Sequence, residues 1–178
     1  MTINIKVSCY TGRYTFIISH LNQEKFHPEF KITSGGQTGV DRAGVDAGME
    51  FGLPVGGYIP KGKLGEVQVP DKYPVMETRS KDYKSRIKRN VIESDGTLFI
   101  NICPGATLTA KLALETNKAL MIIQLDQDYQ RTAVIKWFQE NKIQILNIAG
   151  LRESKIPGIH DQAKKFLNQI LSGSGYTG

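Results

Sequence analysis

From residue 31 onward, the sequence alternates between short β-branched, apolar runs and longer segments with helical periodicity. This alternation is typical of an α/β domain built on a parallel sheet. The short runs predict strands near Phe30 to Ser34, Val55 to Ile59, Thr97 to Ile102, Leu120 to Leu125 and Ile143 to Ile148. The longer segments predict helices near Val40 to Phe51, Lys81 to Glu93, Thr107 to Thr116, Tyr129 to Asn141 and Ile159 to Leu171.

Two of these helices show a clear apolar face. In the second, Tyr83, Ile87 and Val91 recur every four residues. The last follows a proline, and its apolar stripe consists of Ile159, Ala163, Phe166, Leu167 and Ile170. The pattern predicts a doubly wound, mainly parallel sheet of five or more strands, with helices on both faces.

Three segments lie outside this scheme. Residues 60–76 contain three prolines and two glycines, which predicts a long surface loop. Residues 1–29 are expected to form an N-terminal extension, either a strand or hairpin added to the sheet or an arm. Residues 173–178 have the composition of a flexible tail. We therefore predict one ligand-binding domain over residues 30–172.

Composition adds a few limits. A chain of 178 residues, 40% hydrophobic and 22% charged, is of ordinary globular type, and its apolar runs are of strand length. They fall short of the roughly 20 residues of a transmembrane helix, and no secretory signal pattern begins the sequence. We therefore expect a cytoplasmic protein with no membrane partner. Cys9 and Cys103 form no CxxC pair, so neither a disulfide framework nor a metal site is predicted.

The candidate chemistry lies in loops that follow strands, because ligands of doubly wound sheets bind outside the carboxyl ends of the strands. The first loop, "SGGQTGVD", contains Gly35, Gly36, Gln37, Thr38 and Gly39 ahead of a helix. Its backbone N–H groups and the helix dipole favour an anion such as phosphate. The alternative is a tight turn with no ligand. Farther along, Gly44 and Gly48 are expected to let the helix approach its sheet.

Two further loops could complete the site. The loop "CPGATLT" provides Gly105, Ala106 and Thr107, and it would share a crevice with the first loop if the five predicted strands have the order 2-1-3-4-5. The loop "NIAGLRES" provides Arg152, which could clamp a phosphate or pair with a carboxylate such as Glu153. Its strand is expected at the sheet edge.

The second helix supplies two polar candidates, Arg86 and Asn90. Asn90 lies close to the apolar stripe, so its amide needs a partner, either a ligand or a neighbouring loop.

The formal net charge of +6 favours an anionic partner. Acidic residues intersperse the basic helix, and aromatic side chains do not alternate with the basic ones to form a stacking platform for bases, which argues against nucleic acid.

Several segments together resemble the molybdenum-cofactor carrier family: "KITSGGQTGVDRAGVDAGMEFGLPVGGYIPKG", "YPVMETRSKDYKSRIKRNVIESDGTLFI" and "ILNIAGLRESKIPGI". The resemblance covers about residues 31–171. It implies a Rossmann-like fold, a homo-oligomer, and a pocket for the phosphorylated pterin of the molybdenum cofactor (molybdopterin) or for a nucleotide-like ligand. It also implies storage or delivery, with molybdoenzymes as recipients, rather than a reaction.

The wider superfamily includes DNA-processing protein A and phosphoribohydrolases once called lysine decarboxylases. In these hydrolases, the loop similar to residues 104–112 carries a catalytic Glu, and Leu112 stands at that position here. We therefore predict no catalytic residue. The alternative is a nucleotide-processing enzyme that uses Asp41 or Glu115 with a metal ion or water.

Overall fold

The computed structural model describes residues 29–62, 67–101, 108–126 and 131–172. Expectations for residues 1–28 and 173–178 concern parts of the chain outside these ranges. Within them the strands are β1 (Lys31–Ser34), β2 (Val55–Gly56), β3 (Tyr58–Ile59), β4 (Met76–Glu77), β5 (Gly96–Ile100), β6 (Ala119–Ile123) and β7 (Ile145–Gly150). The helices are α1 (Val40–Glu50), α2 (Tyr83–Ile92), α3 (Leu108–Glu115), α4 (Arg131–Glu140) and α5 (Ile159–Leu171).

The main sheet has five parallel strands in the order β2-β1-β7-β5-β6. The α/β Rossmann-like fold predicted from the sequence is confirmed. The proposed strand order was wrong, because β7 lies between β1 and β5 rather than at an edge. Leu146, Asn147 and Ile148 in β7 are at most 2% exposed, as expected for a central parallel strand that is covered on both faces.

This order becomes a familiar one when β7 is counted as the first strand. The sheet then has the order 3-2-1-4-5, the first five places of the Rossmann arrangement. The point where the order reverses lies between β7 and β5. The crevice at the carboxyl ends of these two strands is the place where such folds bind ligands.

Helices cover the sheet on both faces. Helix α1 packs against α5, α5 also contacts α4, and α2 packs against α3. The largest apolar cluster lies between the sheet and the helices α1, α4 and α5. It includes Phe30, Ile32, Leu146, Ile148 and Phe166. This core holds α1 and α5 side by side. Both helices begin at the carboxyl edge of the sheet because α1 follows β1 and α5 follows β7, which are parallel strands.

Helix α1 approaches the sheet as closely as its glycines allow, as predicted. A Cβ added at Gly44 would lie 2.8 Å from Ile148 Cβ, and one added at Gly48 would lie 2.4 Å from Val55 Cγ1. Both distances are shorter than an ordinary van der Waals contact. Glycine at these positions therefore sets the separation between α1 and the sheet.

The predicted second strand is divided at Gly57. β2 pairs with β1, whereas β3 pairs in parallel with β4 in a separate two-stranded sheet. The division follows from a close approach, because a Cβ at Gly57 would lie 2.0 Å from the carbonyl oxygen of Ser34.

The predicted surface loop over residues 60–76 is also more structured than expected. It runs into β4 at Met76, and the side chains of Val69 and Tyr73 are buried with Val45 and Ile59 in a second apolar cluster. Arg42 of α1 donates from Nη2 to the carbonyl oxygens of Val67 at 2.9 Å and Gln68 at 2.8 Å.

Within the described residues, no helix combines the length and hydropathy needed to cross a bilayer.

Candidate functional site

The turn between β1 and α1 uses backbone conformations that favour glycine. Gly36 has φ 68°, and Gly39, the N-cap of α1, has φ 82°. The predicted residues Gly35, Gly36, Gln37 and Gly39 are buried, and Thr38 is half-buried. The turn therefore places its backbone at the N-terminus of α1, where the helix dipole favours negative charge.

The loop after β7 packs directly on this turn. A Cβ at Gly39 would lie 2.4 Å from the carbonyl oxygen of Leu151. That oxygen also accepts the backbone N–H of Val40 at 3.1 Å. The contact follows from the pairing of β1 with β7, and it brings the loop that carries Arg152 against the glycine turn.

Arg86 reaches the same turn from α2. Its Nη1 lies 3.1 Å from Asp41 Oδ2, and both side chains are only 9% exposed. A Cβ at Gly35 would lie 1.2 Å from the same Nη1, so the guanidinium lies directly on the Cα of this glycine. The absence of a side chain at Gly35 therefore makes room for Arg86.

Asp41 is the anionic partner within this cluster. Burial raises the pKa of its carboxyl group, and the charges of Arg86 and Arg152 and the hydrogen bond from the Gln37 N–H oppose that rise. The Gln37 N–H is 3.4 Å from Asp41 Oδ2, long for a hydrogen bond. Arg86 Nε is buried and meets no acceptor in the part of the chain that the structure describes. Such a donor suits an anion supplied from outside.

Tyr83 joins the two arginines. The guanidinium carbon of Arg152 lies 5.4 Å from the centroid of the Tyr83 ring, and that of Arg86 lies 5.8 Å from it. Both are within cation–π range. Sequence reasoning missed Tyr83 because its spacing placed it on the apolar stripe of α2. The available signal was the spacing of Tyr83 and Arg86. Asp82 caps α2, so Tyr83 is in the first turn of the helix, and Arg86 three residues later is its neighbour on the helix surface.

Asn90 forms hydrogen bonds to the backbone of Tyr58. Its Oδ1 accepts the Tyr58 N–H at 2.8 Å, and its Nδ2 donates to the Tyr58 carbonyl at 3.0 Å. Of the two roles open for this amide, this geometry matches the structural hydrogen bond, with strand β3 as the partner rather than a loop. The predicted residues Gly105, Ala106 and Thr107 fall outside the described ranges.

Glu153 serves another helix. Its carboxylate accepts the backbone N–H groups of Gly158 and His160, the latter at 3.0 Å, at the start of α5. This interaction satisfies donors that α5 would otherwise leave open. The N-terminus of α5 therefore has an anionic partner of its own, the Glu153 carboxylate.

The two carboxylates considered for an enzyme, those of Asp41 and Glu115, have different partners. Glu115 is on the surface of α3, where its carboxylate lies 3.7 Å from Lys111 Nζ. Asp41 is buried against Arg86. In residues 29–62, 67–101, 108–126 and 131–172, no group of three or more His, Cys, Asp or Glu side chains could hold a metal ion.

The chain is similar to a described family and to a solved structure. A model of the circularly permutated YpsA SLOG family matches residues 32–171. The crystal structure of the "putative molybdenum carrier protein" from Syntrophus aciditrophicus SB is 39% identical in sequence, with a TM-score of 0.73, over 79% of this chain and 93% of that one. No curated protein matches the sequence. The family match includes the glycine turn, α2 and the loop after β7.

Proposed function

Because the chain belongs to the circularly permutated YpsA SLOG family, we propose that it binds and carries a phosphorylated pterin of the molybdenum-cofactor type. The phosphate is bound at the turn of Gly35, Gly36, Gln37, Thr38 and Gly39, beside Arg86 and Arg152. A nucleotide-like ligand has the same phosphate chemistry and is the alternative cargo of this site. The similarity to the "putative molybdenum carrier protein" from Syntrophus aciditrophicus SB supports a cargo that contains molybdenum.

One observation carries the proposal. Three segments distant in sequence bring two guanidinium groups and a glycine turn together at the carboxyl edge of the sheet. Arginine suits phosphate because its planar donors can bind two oxygens at once. The buried Nε of Arg86 adds a donor that meets no acceptor among the described residues.

The proposal extends to the wider role of the protein. It assigns storage and delivery of the ligand rather than its conversion, a homo-oligomeric assembly, molybdoenzymes as recipients and a cytoplasmic location. The second glycine loop, with Gly105, Ala106 and Thr107, is proposed as a further phosphate contact. Asn90 is left out of the proposed site because its amide already bonds the Tyr58 backbone at both ends.

The proposal is tested by what the purified protein carries. The protein is isolated from its native host, its molybdenum is quantified by plasma mass spectrometry, and the released organic ligand is identified by mass. We expect a phosphorylated pterin with stoichiometric molybdenum, or a nucleotide if the alternative cargo is correct. Phosphate-free protein that also fails to bind an added pterin monophosphate would refute the proposal.

A matched pair of variants locates the binding. Arg152→Gln removes a guanidinium from the proposed site, and Arg89→Gln removes one from the exposed side of α2, where it lies over Tyr58. We expect Arg152→Gln to weaken binding of the pterin monophosphate by about tenfold or more, as for loss of one charge-assisted contact. Arg89→Gln is expected to bind like the unaltered protein.

A further inference from the structure

The carboxylate of Asp41 occupies donors that an external anion would use. Its Oδ2 lies 3.1 Å from Arg86 Nη1 and 3.4 Å from the backbone N–H of Gln37. One donor is a guanidinium and the other belongs to the glycine turn, which are the two kinds of group assigned above to the phosphate. Asp41 therefore already places one negative charge at the proposed site.

We infer that Asp41 is a built-in competitor for the anionic ligand, whose carboxylate holds Arg86 and the glycine turn until an external anion replaces it. This inference rests on the proposed function, because it concerns the regulation of the same site. It assigns Asp41 a role beyond structure: this residue sets how tightly the phosphate is held and whether the ligand can be released.

The surroundings of Asp41 explain why the competition is balanced. The charged groups that face it are Arg86 from α2 and Arg152 from the loop after β7, and Gln37 contributes the backbone N–H. With both arginines charged and Asp41 ionised, the cluster has a net charge of one positive unit. Protonation of Asp41 would raise this to two. Because burial raises the pKa of Asp41, mild acidification favours the state that attracts an anion more strongly.

The test uses sulfate, a tetrahedral dianion that does not titrate in the relevant range, and the full-length chain. Asp41→Asn keeps the shape of the side chain and removes its charge. We expect this variant to bind sulfate about tenfold more tightly than the unaltered protein at about pH 7. Equal or weaker binding by a folded Asp41→Asn protein would overturn the inference.

A second substitution controls for net charge. Asp161→Asn also removes one negative charge, from a side chain that is 90% exposed on the first turn of α5. We expect its sulfate affinity to match that of the unaltered protein. An equal gain in both variants would assign the effect to overall charge and would overturn the inference.

A calorimetric measurement on the unaltered protein needs no variant and decides the question if Asp41→Asn does not fold. Bound sulfate takes Arg86 from the buried Asp41 carboxylate and adds a second negative charge beside it. Both changes raise the pKa of Asp41, so binding takes up protons. The observed enthalpy then differs between buffers of different ionisation enthalpy, and sulfate binds more tightly at about pH 5 than at about pH 7. Sulfate binding with no proton uptake would contradict competition.

The outcomes separate this inference from the proposed function. Sulfate binding that tightens in Asp41→Asn, in a protein that binds no pterin or nucleotide phosphate, would support the competition and refute the carrier role. Binding of a pterin phosphate with unchanged sulfate affinity in Asp41→Asn would do the reverse. Binding of neither sulfate nor the pterin monophosphate by either protein would refute both.

Discussion

At the scale of single residues, the site depends on the fit between Gly35 and Arg86. The guanidinium lies so close to the Gly35 Cα that a Cβ would be 1.2 Å from Nη1 and 2.6 Å from Asp41 Oδ2. Gly35 is not among the residues with positive φ, so its backbone would accept alanine. The demand for glycine here comes from the neighbouring side chains.

Substitution of Gly35 therefore tests the placement of Arg86. In Gly35→Ala, the new methyl group must displace the guanidinium and separate it from Asp41. We expect a loss of about 2 kcal/mol in the free energy of unfolding, because a buried ion pair is disturbed, and at least a tenfold loss of phosphate affinity. Urea unfolding and calorimetry measure the two effects.

The control for this substitution is Gly56→Ala. A Cβ there would lie 3.2 Å from Lys31 Cε, at the flexible end of that side chain, and 3.7 Å from the carbonyl oxygen of Pro74, which is an ordinary van der Waals contact. We expect near-normal stability and unchanged phosphate binding. Equal phosphate affinity in Gly35→Ala and Gly56→Ala would show that Arg86 takes no part in binding.

At the scale of elements, local pattern predicted which segments are helices and strands but not how the strands are ordered. Helix α5 was predicted with its observed bounds because one apolar stripe defines it. The position of β7 was missed because strand order depends on tertiary packing, which has no local period. The assumed order 2-1-3-4-5 put this strand at an edge, whereas the buried Leu146 to Ile148 stretch is typical of a centre strand.

The candidate site divides in the same way. The glycine turn was found because its residue types are distinctive over a short stretch. The pairing of Asp41 with Arg86 joins positions that are 45 residues apart, so no spacing rule indicates it. The contact of Tyr83 with the two arginines was missed because helical periodicity predicts which side chains are buried but not which groups they contact.

Because α1 packs closely on β7 at Gly44, we expect an alanine at this position to lower the free energy of unfolding rather than raise it. At a solvent-facing helix position, Gly→Ala stabilises by about 1 kcal/mol. Gly44→Ala is instead expected to destabilise by about 1–3 kcal/mol, because its Cβ would lie 2.8 Å from Ile148 Cβ. Urea unfolding measures the change.

A double-mutant cycle supplies the control for this contact. Ile148→Ala removes the Cγ2 and Cγ1 atoms that would lie 2.8 and 3.1 Å from the new methyl group. Part of the clash is then relieved, so the double variant Gly44→Ala/Ile148→Ala should be more stable than the sum of the single effects predicts. Additive effects would place the cost of Gly44→Ala elsewhere.

A side-chain cluster connects α1, α5 and the segment before β4. The Tyr73 hydroxyl donates to Asp46 Oδ1 at 2.8 Å, and His160 Nε2 lies 3.0 Å from Asp46 Oδ2. Partial burial alone would raise the pKa of Asp46, but the hydrogen bonds from His160 and Tyr73 hold it below its ordinary value of 3.8. The carboxylate therefore stabilises the fold while it is ionised.

This cluster predicts a pH dependence of stability. Because the folded-state pKa of Asp46 is lowered, its contribution is present above the ordinary value of 3.8 and is lost as the pH falls through the lower, folded-state value. We expect Asp46→Asn to be less stable than the unaltered protein at neutral pH, with a difference that shrinks in acid. Urea unfolding across this range checks it, and a constant difference would contradict the assignment.

At the scale of the whole molecule, the sheet order shows where the chain could begin. Counting β7 and α5 first gives the order 3-2-1-4-5. In that arrangement α5 connects two adjacent parallel strands, β7 and β1, as an ordinary crossover helix does. The central strand and its loop, with Arg152, are thus supplied by the last part of the chain and the glycine turn by the first part of the domain.

The order obtained by counting β7 and α5 first predicts that a circular permutant, in which these two elements come first in the chain, also folds. A permutant that begins at Lys142, continues through Gly178 and joins Met1 to Gly178 keeps every residue and cuts an exposed turn. We expect the same circular dichroism and a urea midpoint close to that of the unaltered protein, because chain ends in exposed turns are tolerated. A permutant with no cooperative unfolding transition would show that the native order of segments is required.

The central claim, that a phosphate is held between the glycine turn and the two arginines, is tested most directly by a residue-resolved titration. Amide and guanidinium signals are followed by ¹⁵N–¹H correlation spectra as pterin monophosphate is added, with the phosphate-free pterin as control. We expect the largest shifts at Gly36, Gln37 and Gly39 and at the Nε–H groups of Arg86 and Arg152, with much smaller shifts from the control. Unchanged signals at the turn and at both arginines, in a protein that nevertheless binds the ligand, would contradict the account.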